Sequence, residues 1–140
     1  MSVESLEELL AQNRVVVFVT YRKDGQPQMS LVTVGAYDRG LAFTTRHRNA
    51  KFHNLARDPR CAMMLTKPDL RGYAVLDGRA EVRGPHNTEP GQLRMELRNV
   101  YRAASGQDHP DWDEYDRVME EQQRAAILLP PGRTFFRNAP

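Results

Sequence analysis

The sequence predicts a small antiparallel β-barrel, mostly β with short helices at its corners. Three observations carry this. Six runs rich in β-branched, aromatic or compact apolar residues recur along the 140 residues. Most of them are joined by tight turns marked by glycine, proline and aspartate. The helical patterns between and after them are short.

Ser5-Leu6-Glu7-Glu8 has capping-box spacing, and Leu6, Leu9 and Leu10 share a face, so residues 2–12 read as an amphipathic helix. Val15–Tyr21, VVVFVTY, is the first strand, and Lys23-Asp24-Gly25 the hairpin turn after it. The second strand runs from Pro27 to Tyr37, with the proline at an edge or a strand start. Asp38-Arg39-Gly40 turns the chain into the third, Leu41–Thr45. Ala50–Arg57 is a short helix with Asn49 at its N-cap. Asp58-Pro59 stops it, because a residue before proline is driven out of the α region. Cys61–Thr66 is the fourth strand, and Lys67-Pro68-Asp69 a loop. Tyr73–Arg83 is a long fifth strand in which Gly78 marks a bulge or bend, and Pro85 ends it. Leu93–Tyr101 and Asp111–Glu121 are helical, the latter with Trp112, Tyr115, Val118 and Met119 on one side. The sixth strand is Ala125–Leu129 with Phe135 and Phe136, interrupted at Pro130-Pro131-Gly132.

Composition narrows the function. This length is expected to make a single domain, residues 1–140. Hydrophobic residues at 40% and charged residues at 27% are an ordinary globular balance. A net charge of +2 is too even to indicate a nucleic-acid partner; the basic excess is local to residues 46–60 and the acidic excess to residues 108–121. Cys61, the lone cysteine, sits in an apolar run and reads as a buried strand residue, not a nucleophile. No apolar run approaches a membrane span, and the acidic N-terminus is unlike a secretory signal, so a cytoplasmic protein is expected. There is no GxGxxG and no GxxxxGK[ST]. His47, His53, His86 and His109 make no HxxxH pair, so no metal site is expected. Asp108, Asp111, Asp113 and Glu114 admit a hard-metal reading, but Asp111 as a helix cap, with the other acids favouring the first turn, accounts for them.

The working site is expected between Gly40 and Arg60, GLAFTTRHRNAKFHNLARDPR. A strand, the basic turn Arg46-His47-Arg48 and a helix N-terminus follow one another there. A helix N-terminus carries unpaired N–H groups and a partial positive charge. With Arg46, Arg48 and Lys51 it makes a pocket for a phosphate or carboxylate. The competing reading is a solvated basic loop. His47 lies in the cationic loop beside the expected ligand, whereas His53 is expected to face solvent.

Several of these stretches resemble one family. They are Asp24-Gly25-Gln26-Pro27-Gln28-Met29-Ser30, Leu41–Thr45, Lys51-x-x-Asn54-Leu55-x-x-Asp58-Pro59-Arg60, Tyr73-Ala74-Val75, Gly78-Arg79-Ala80, Tyr101-Arg102 and His109–Tyr115. In order and over nearly the whole chain, they are similar to the pyridoxamine 5′-phosphate oxidase-like split-barrel flavoproteins. More narrowly they resemble the B-type flavin/deazaflavin oxidoreductases. The resemblance implies a six-stranded antiparallel split β-barrel and a homodimer with a cofactor, FMN or coenzyme F-420, in each groove between subunits. It implies that Lys51, with Arg46 or Arg48, binds the phosphate and the tail carboxylates. Gln28, Met29, Ser30 and Val32 would run beneath the ring, with Thr44 and Thr45 near its polar side. Asn54 would either bond the ligand or cap the helix. Tyr73 would donate a proton to substrate or serve as a core or interface residue. Tyr73, Trp112 and Tyr115 would cover the groove from the partner subunit, unless Trp112 anchors the last helix on its own barrel. The C-terminal Arg-x-His of authentic pyridoxamine phosphate oxidases is missing from Gly132-Arg133-Thr134-Phe135-Phe136, so oxidation of vitamin B6 phosphate is not expected.

Hydride transfer asks little acid–base machinery of the protein, since the cofactor carries the chemistry. The expected function is an F-420-dependent oxidoreductase acting on a small organic substrate. The alternatives are an FMN-dependent oxidoreductase and a flavin or deazaflavin carrier without turnover. Arg46, Arg48 and Lys51 exceed what the single phosphate of FMN requires, which favours the longer polyanionic tail of F-420.

Overall fold

The computed structural model describes residues 6–130 and, as backbone, 133–138. The predicted Ser5 capping box, residues 2–5 of the predicted helix and the predicted interruption at Pro131-Gly132 lie outside the described residues. The described elements are α1 (Leu6–Gln12), β1 (Val15–Tyr21), β2 (Pro27–Thr33), β3 (Gly35–Tyr37), β4 (Gly40–Arg46), α2 (Ala50–Arg57), β5 (Arg60–Thr66), β6 (Gly72–Arg79), β7 (Glu81–Arg83), α3 (Pro90–Ser105), α4 (Trp112–Glu121), β8 (Arg124–Leu129) and β9 (Arg133–Asn138). None of the described helices is long and apolar enough to cross a membrane.

All six predicted runs are extended, but three of them bend and contribute two strands each. The expected six strands are therefore corrected to nine among the described residues, in two antiparallel sheets ordered β2-β1-β5-β6-β9 and β3-β4-β8-β7. The run Pro27–Tyr37 breaks at Val34, and Tyr73–Arg83 breaks at Ala80. The last run is broken after Leu129. Each break hands the chain from one sheet to the other, so the sheets share their bordering runs and enclose one core. Gly78 is not the bend: it pairs with Cys61 inside β6. The N–H of Ala80 instead leaves the ladder and donates to the Pro59 carbonyl at 2.9 Å.

Strand alternation fills the interior. Val16 and Phe18 of β1, Leu41 and Phe43 of β4, Met63 and Leu65 of β5 and Ile127 and Leu129 of β8 are buried together. Phe18 and Phe43 meet edge to face at 4.8 Å. Cys61 is buried there as expected, and burial pushes its thiol up to about 12. α3 covers the outer face of the smaller sheet, packing Leu93, Leu97 and Val100 with Ala42, Ala126 and Leu128. It is longer than predicted at both ends. Glu89 accepts from the N–H groups of Gly91 and Gln92, Pro90 starts the helix, and Gly106 ends it at φ 78°. Asp111 caps α4 as expected, accepting from Glu114 N–H at 3.1 Å.

The outer face of the larger sheet is treated differently. Register places Val17 beside Leu31 and Met64, and Val19 beside Met29 and Ala62. Met29 and Leu31 stay 66% and 71% exposed, so this apolar face is left open by the described residues.

Two glycines set close approaches. A Cβ on Gly35 would land on the backbone of Ala103 and Ala104, and one on Gly40 on the Leu129 carbonyl. Backbone cannot swing aside as a side chain can. Gly35→Ala and Gly40→Ala should each cost about 1–3 kcal/mol or more and lower the melting temperature by roughly 4–10 °C in circular dichroism. Gly78→Ala, whose Cβ would meet only the Leu129 side chain at 3.3 Å, should melt near the parent.

Candidate functional site

β4 ends at Arg46 and α2 starts at Ala50, so a short turn joins a strand end to a helix N-terminus. Asn49 holds the N-cap position, but the expected side-chain cap is not made. Its amide turns back instead and donates to Thr45 Oγ1 at 3.1 Å. No side chain closes the first turn of α2, which leaves its N–H groups to other acceptors.

Beside this turn lies a cavity of about 640 Å³. β2 and β4 form one wall, α3 and α4 the other, and Asn49, Lys51 and Arg124 line it as well. α4 contributes Glu114, Tyr115, Val118 and Met119 to its lining. His109 and Glu114 lie toward the start of that helix; Met119 and, just past its end, Arg124 lie toward the other.

Four of the residues expected to bind cofactor line this cavity together: Val32, Thr44, Thr45 and Lys51. Arg46 and Arg48 line a separate, smaller depression with His47 and Glu121. Gln28, Met29 and Ser30 lie farther along β2 and are not in the lining. Asn54 is buried, with its amide taken up by the protein. Its Nδ2 donates to Thr20 Oγ1 and to Gln28 Oε1, both at 3.1 Å, and its Oδ1 accepts from Arg57 at 3.0 Å. The helix end is closed by the backbone carbonyl of Asn54, which accepts from Asp58 N–H at 2.8 Å. Tyr73 pairs with Thr66 on β5 and is not in the lining. Trp112 packs within the chain, 5.9 Å from Tyr101 and 5.4 Å from Tyr115, with Arg98 and Arg102 over its ring. Tyr115 is buried; its hydroxyl donates to the Leu97 carbonyl at 2.8 Å, and burial pushes it up to about 12. His53 is exposed, as expected, and so is His47.

Two basic residues of the lining were not assigned to the site from sequence. Arg124 stands at the start of β8, half-buried. It donates through Nη1 to Thr44 Oγ1 at 3.1 Å and through Nε to Gln122 Oε1 at 2.8 Å. It also faces Arg46 across the β4–β8 ladder. The signal for it was an arginine directly before the apolar run AAILL, on the strand that pairs with Arg46. His109 is the second: its Nδ1 accepts from Asp111 N–H at 3.0 Å.

The electrostatics single out the Lys51 end. Burial, and then the charge of Arg124, lower the Lys51 pKa; burial, and then Arg46, lower that of Arg124. Like charges directly opposite on paired strands are destabilising. Among the described residues, none of Lys51, Arg46 or Arg124 has a carboxylate at ion-pair distance. A bound anion would supply the missing counter-charge. Among the described residues no group of three or more His, Cys, Asp or Glu is placed to hold a metal ion.

Comparison with known proteins places the family and the fold. A family model described as pyridoxamine 5′-phosphate oxidase matches residues 2–132. The pyridoxine/pyridoxamine 5′-phosphate oxidase of Thermobifida fusca is 29% identical over 141 residues, covering 92% of this chain but only 59% of that enzyme's own length. An F420 reductase of known structure has a TM-score of 0.64 at 22% identity, covering 95% of this chain and 98% of the other. A pyridoxamine 5′-phosphate oxidase-related, FMN binding protein from Nostoc punctiforme has a TM-score of 0.68 at 16% identity, covering 99% and 87%. At these identities the solved structures share the fold.

An anion at this corner favours the protonated form of Lys51, whose pKa lies below the usual lysine value. Affinity should therefore be full below that lowered value and fall as pH rises through it. Sulfate suits the measurement because its own charge is constant over the range. Calorimetric titration should show the loss in the parent and a flatter profile in Lys51→Arg, which stays cationic throughout.

Proposed function

The chain belongs to the pyridoxamine 5′-phosphate oxidase family, and from that premise we propose that it is an oxidoreductase using coenzyme F-420, with hydride passing between the reduced deazaflavin and a small organic substrate. The observation that carries this reading is the half-buried cationic corner of Lys51 and Arg124, which line the cavity, with Arg46 beside them, all without carboxylate partners among the described residues.

The residues suit such a cofactor. Lys51, Arg124 and the open first turn of α2 would take the phosphate. Val32, Thr44 and Thr45 would flank the ring system. Arg46 and Arg48, in the adjoining depression, would receive tail carboxylates. When bound, the cofactor supplies hydride chemistry; the protein supplies position and charge. FMN is the second reading, supported by the shared fold of the Nostoc FMN binding protein. Its one phosphate would engage Lys51 and Arg124 and leave Arg46 and Arg48 unused.

The open face of the larger sheet supports a homodimer. Met29, Leu31, Val17, Val19 and Met64 present an apolar surface of the kind that subunit contacts cover, and Tyr73 adjoins it on β6.

Equilibrium titration tests the cofactor: micromolar or better F-420 binding with much weaker FMN binding is expected, and the reverse order would reject F-420 in favour of FMN. Binding without oxidation of the reduced cofactor by any enone or quinone would leave a carrier. Lys51→Ala should weaken F-420 by about ten- to a hundredfold, the worth of one charge-assisted contact. It should affect a precursor lacking phosphate and tail much less, and the difference should shrink with added salt. Light scattering should give a particle of about twice 16.1 kDa, and Met64→Glu, on the open face, should shift it toward the monomer.

A further inference from the structure

The cavity is chemically lopsided. Its cations gather at the Lys51 and Arg124 end. At the other end Glu114 has its charge balanced by Arg117 at 2.9 Å, so no free cation is offered there among the described residues. A ligand group at that end is therefore neutral, and the polar side chain available to recognise it is His109.

Ring packing and one hydrogen bond hold this histidine. Its ring lies 5.2 Å from Tyr101, 5.3 Å from Tyr115 and 5.9 Å from Trp112, so packing fixes its plane. Its Nδ1 accepts from the backbone N–H of Asp111 at 3.0 Å. A nitrogen that accepts carries no hydrogen, so the neutral ring bears its proton on Nε2. That Nε2–H has no acceptor among the described residues, on a side chain that lines the cavity. A ring fixed in plane and tautomer, with its one donor unused, is a preorganised hydrogen-bond donor.

We propose that His109 Nε2–H binds the carbonyl oxygen of a flat conjugated substrate, a quinone or an enone, seated at this end of the cavity. The inference rests on the oxidoreductase reading, with a reduced flavin or deazaflavin as hydride source. As the conjugated carbon of an enone accepts hydride, its π pair shifts onto the oxygen. Nε2–H holds that charge by a hydrogen bond and keeps its proton, since giving it up would leave an imidazolate. The enolate then takes a proton from water and becomes the saturated ketone.

The test compares the parent with His109→Phe, which keeps an aromatic ring and deletes the donor, and with His109→Gln, which keeps an N–H. The probes are 2-cyclohexenone and menadione labelled with ¹³C at the carbonyl, added to protein with and without bound cofactor. In the parent the labelled carbonyl stretch should move to lower frequency on binding. His109→Phe should abolish that shift and weaken the probes about two- to tenfold, the worth of one neutral hydrogen bond. His109→Gln should recover part of both. Nitrogen-15 spectra of the parent should show His109 protonated on Nε2. A shift that survives in His109→Phe, or probes that fail to bind or to shift in the parent, would overturn the proposal. A His109-dependent shift in protein that binds neither F-420 nor FMN would sustain the donor and sink the oxidoreductase reading. Cofactor binding without such a shift would do the reverse.

Discussion

Closure of two sheets by shared, bent runs is the constraint on which the rest of the molecule depends. A run that serves both sheets has to leave one ladder and join the other, and the residue at the bend loses its ladder partner. A buried backbone N–H left without an acceptor is costly, so each bend needs a substitute. At Val34 the N–H donates to the Arg14 carbonyl at 2.9 Å, and at Ala80 to the Pro59 carbonyl at 2.9 Å. Arg14 does more: its guanidinium donates to the Ala104 carbonyl at 3.0 Å, so the residue that accepts at the first bend also ties down the end of α3. The wall formed by β2 and the wall formed by α3 are thus positioned by one arginine.

The cationic corner shows a trade between stability and readiness to bind. Arg46 and Arg124 face each other across a ladder, Lys51 is half-buried beside them, and each would fare better in water. The arrangement persists because its supports are fixed elsewhere. Asn54 fastens the far side of α2 to Thr20 and Gln28 with its own amide, while Asn49 leaves the near end of the helix open by bonding Thr45. One asparagine closes a contact and the other leaves one open.

Much of this was legible in the sequence, and what was not has identifiable causes. Val15–Tyr21 and Ala50–Arg57 match prediction residue for residue, because alternation, the proline stop and the turn residues all act locally. The bends were not legible, since Val34 and Ala80 are ordinary residues and the cause of each break is the second sheet, not the local chain. Gly78 drew attention as the permissive residue yet pairs in register. The start of α3 was hidden by Pro90-Gly91, which reads as a loop until the Glu89 side chain is seen to cap it. Within the site, Lys51 was found at the visible cationic turn, and Val32, Thr44 and Thr45 through the family resemblance. Arg124 and His109 come from strands and loops that reach the cavity only through the tertiary fold.

The buried cysteine carries a consequence for oxidative wear. With its thiol held near 12, Cys61 carries almost no thiolate at neutral pH, so peroxide finds no nucleophilic sulfur in it. The accessible sulfurs of the separate subunit are thioethers instead, at Met29 and Met95, the most exposed methionines described. Conversion of Met29 to its sulfoxide would place a polar, chiral group in the middle of the open apolar face. Such damage is repairable, whereas sulfinic or sulfonic oxidation of a core thiol would not be.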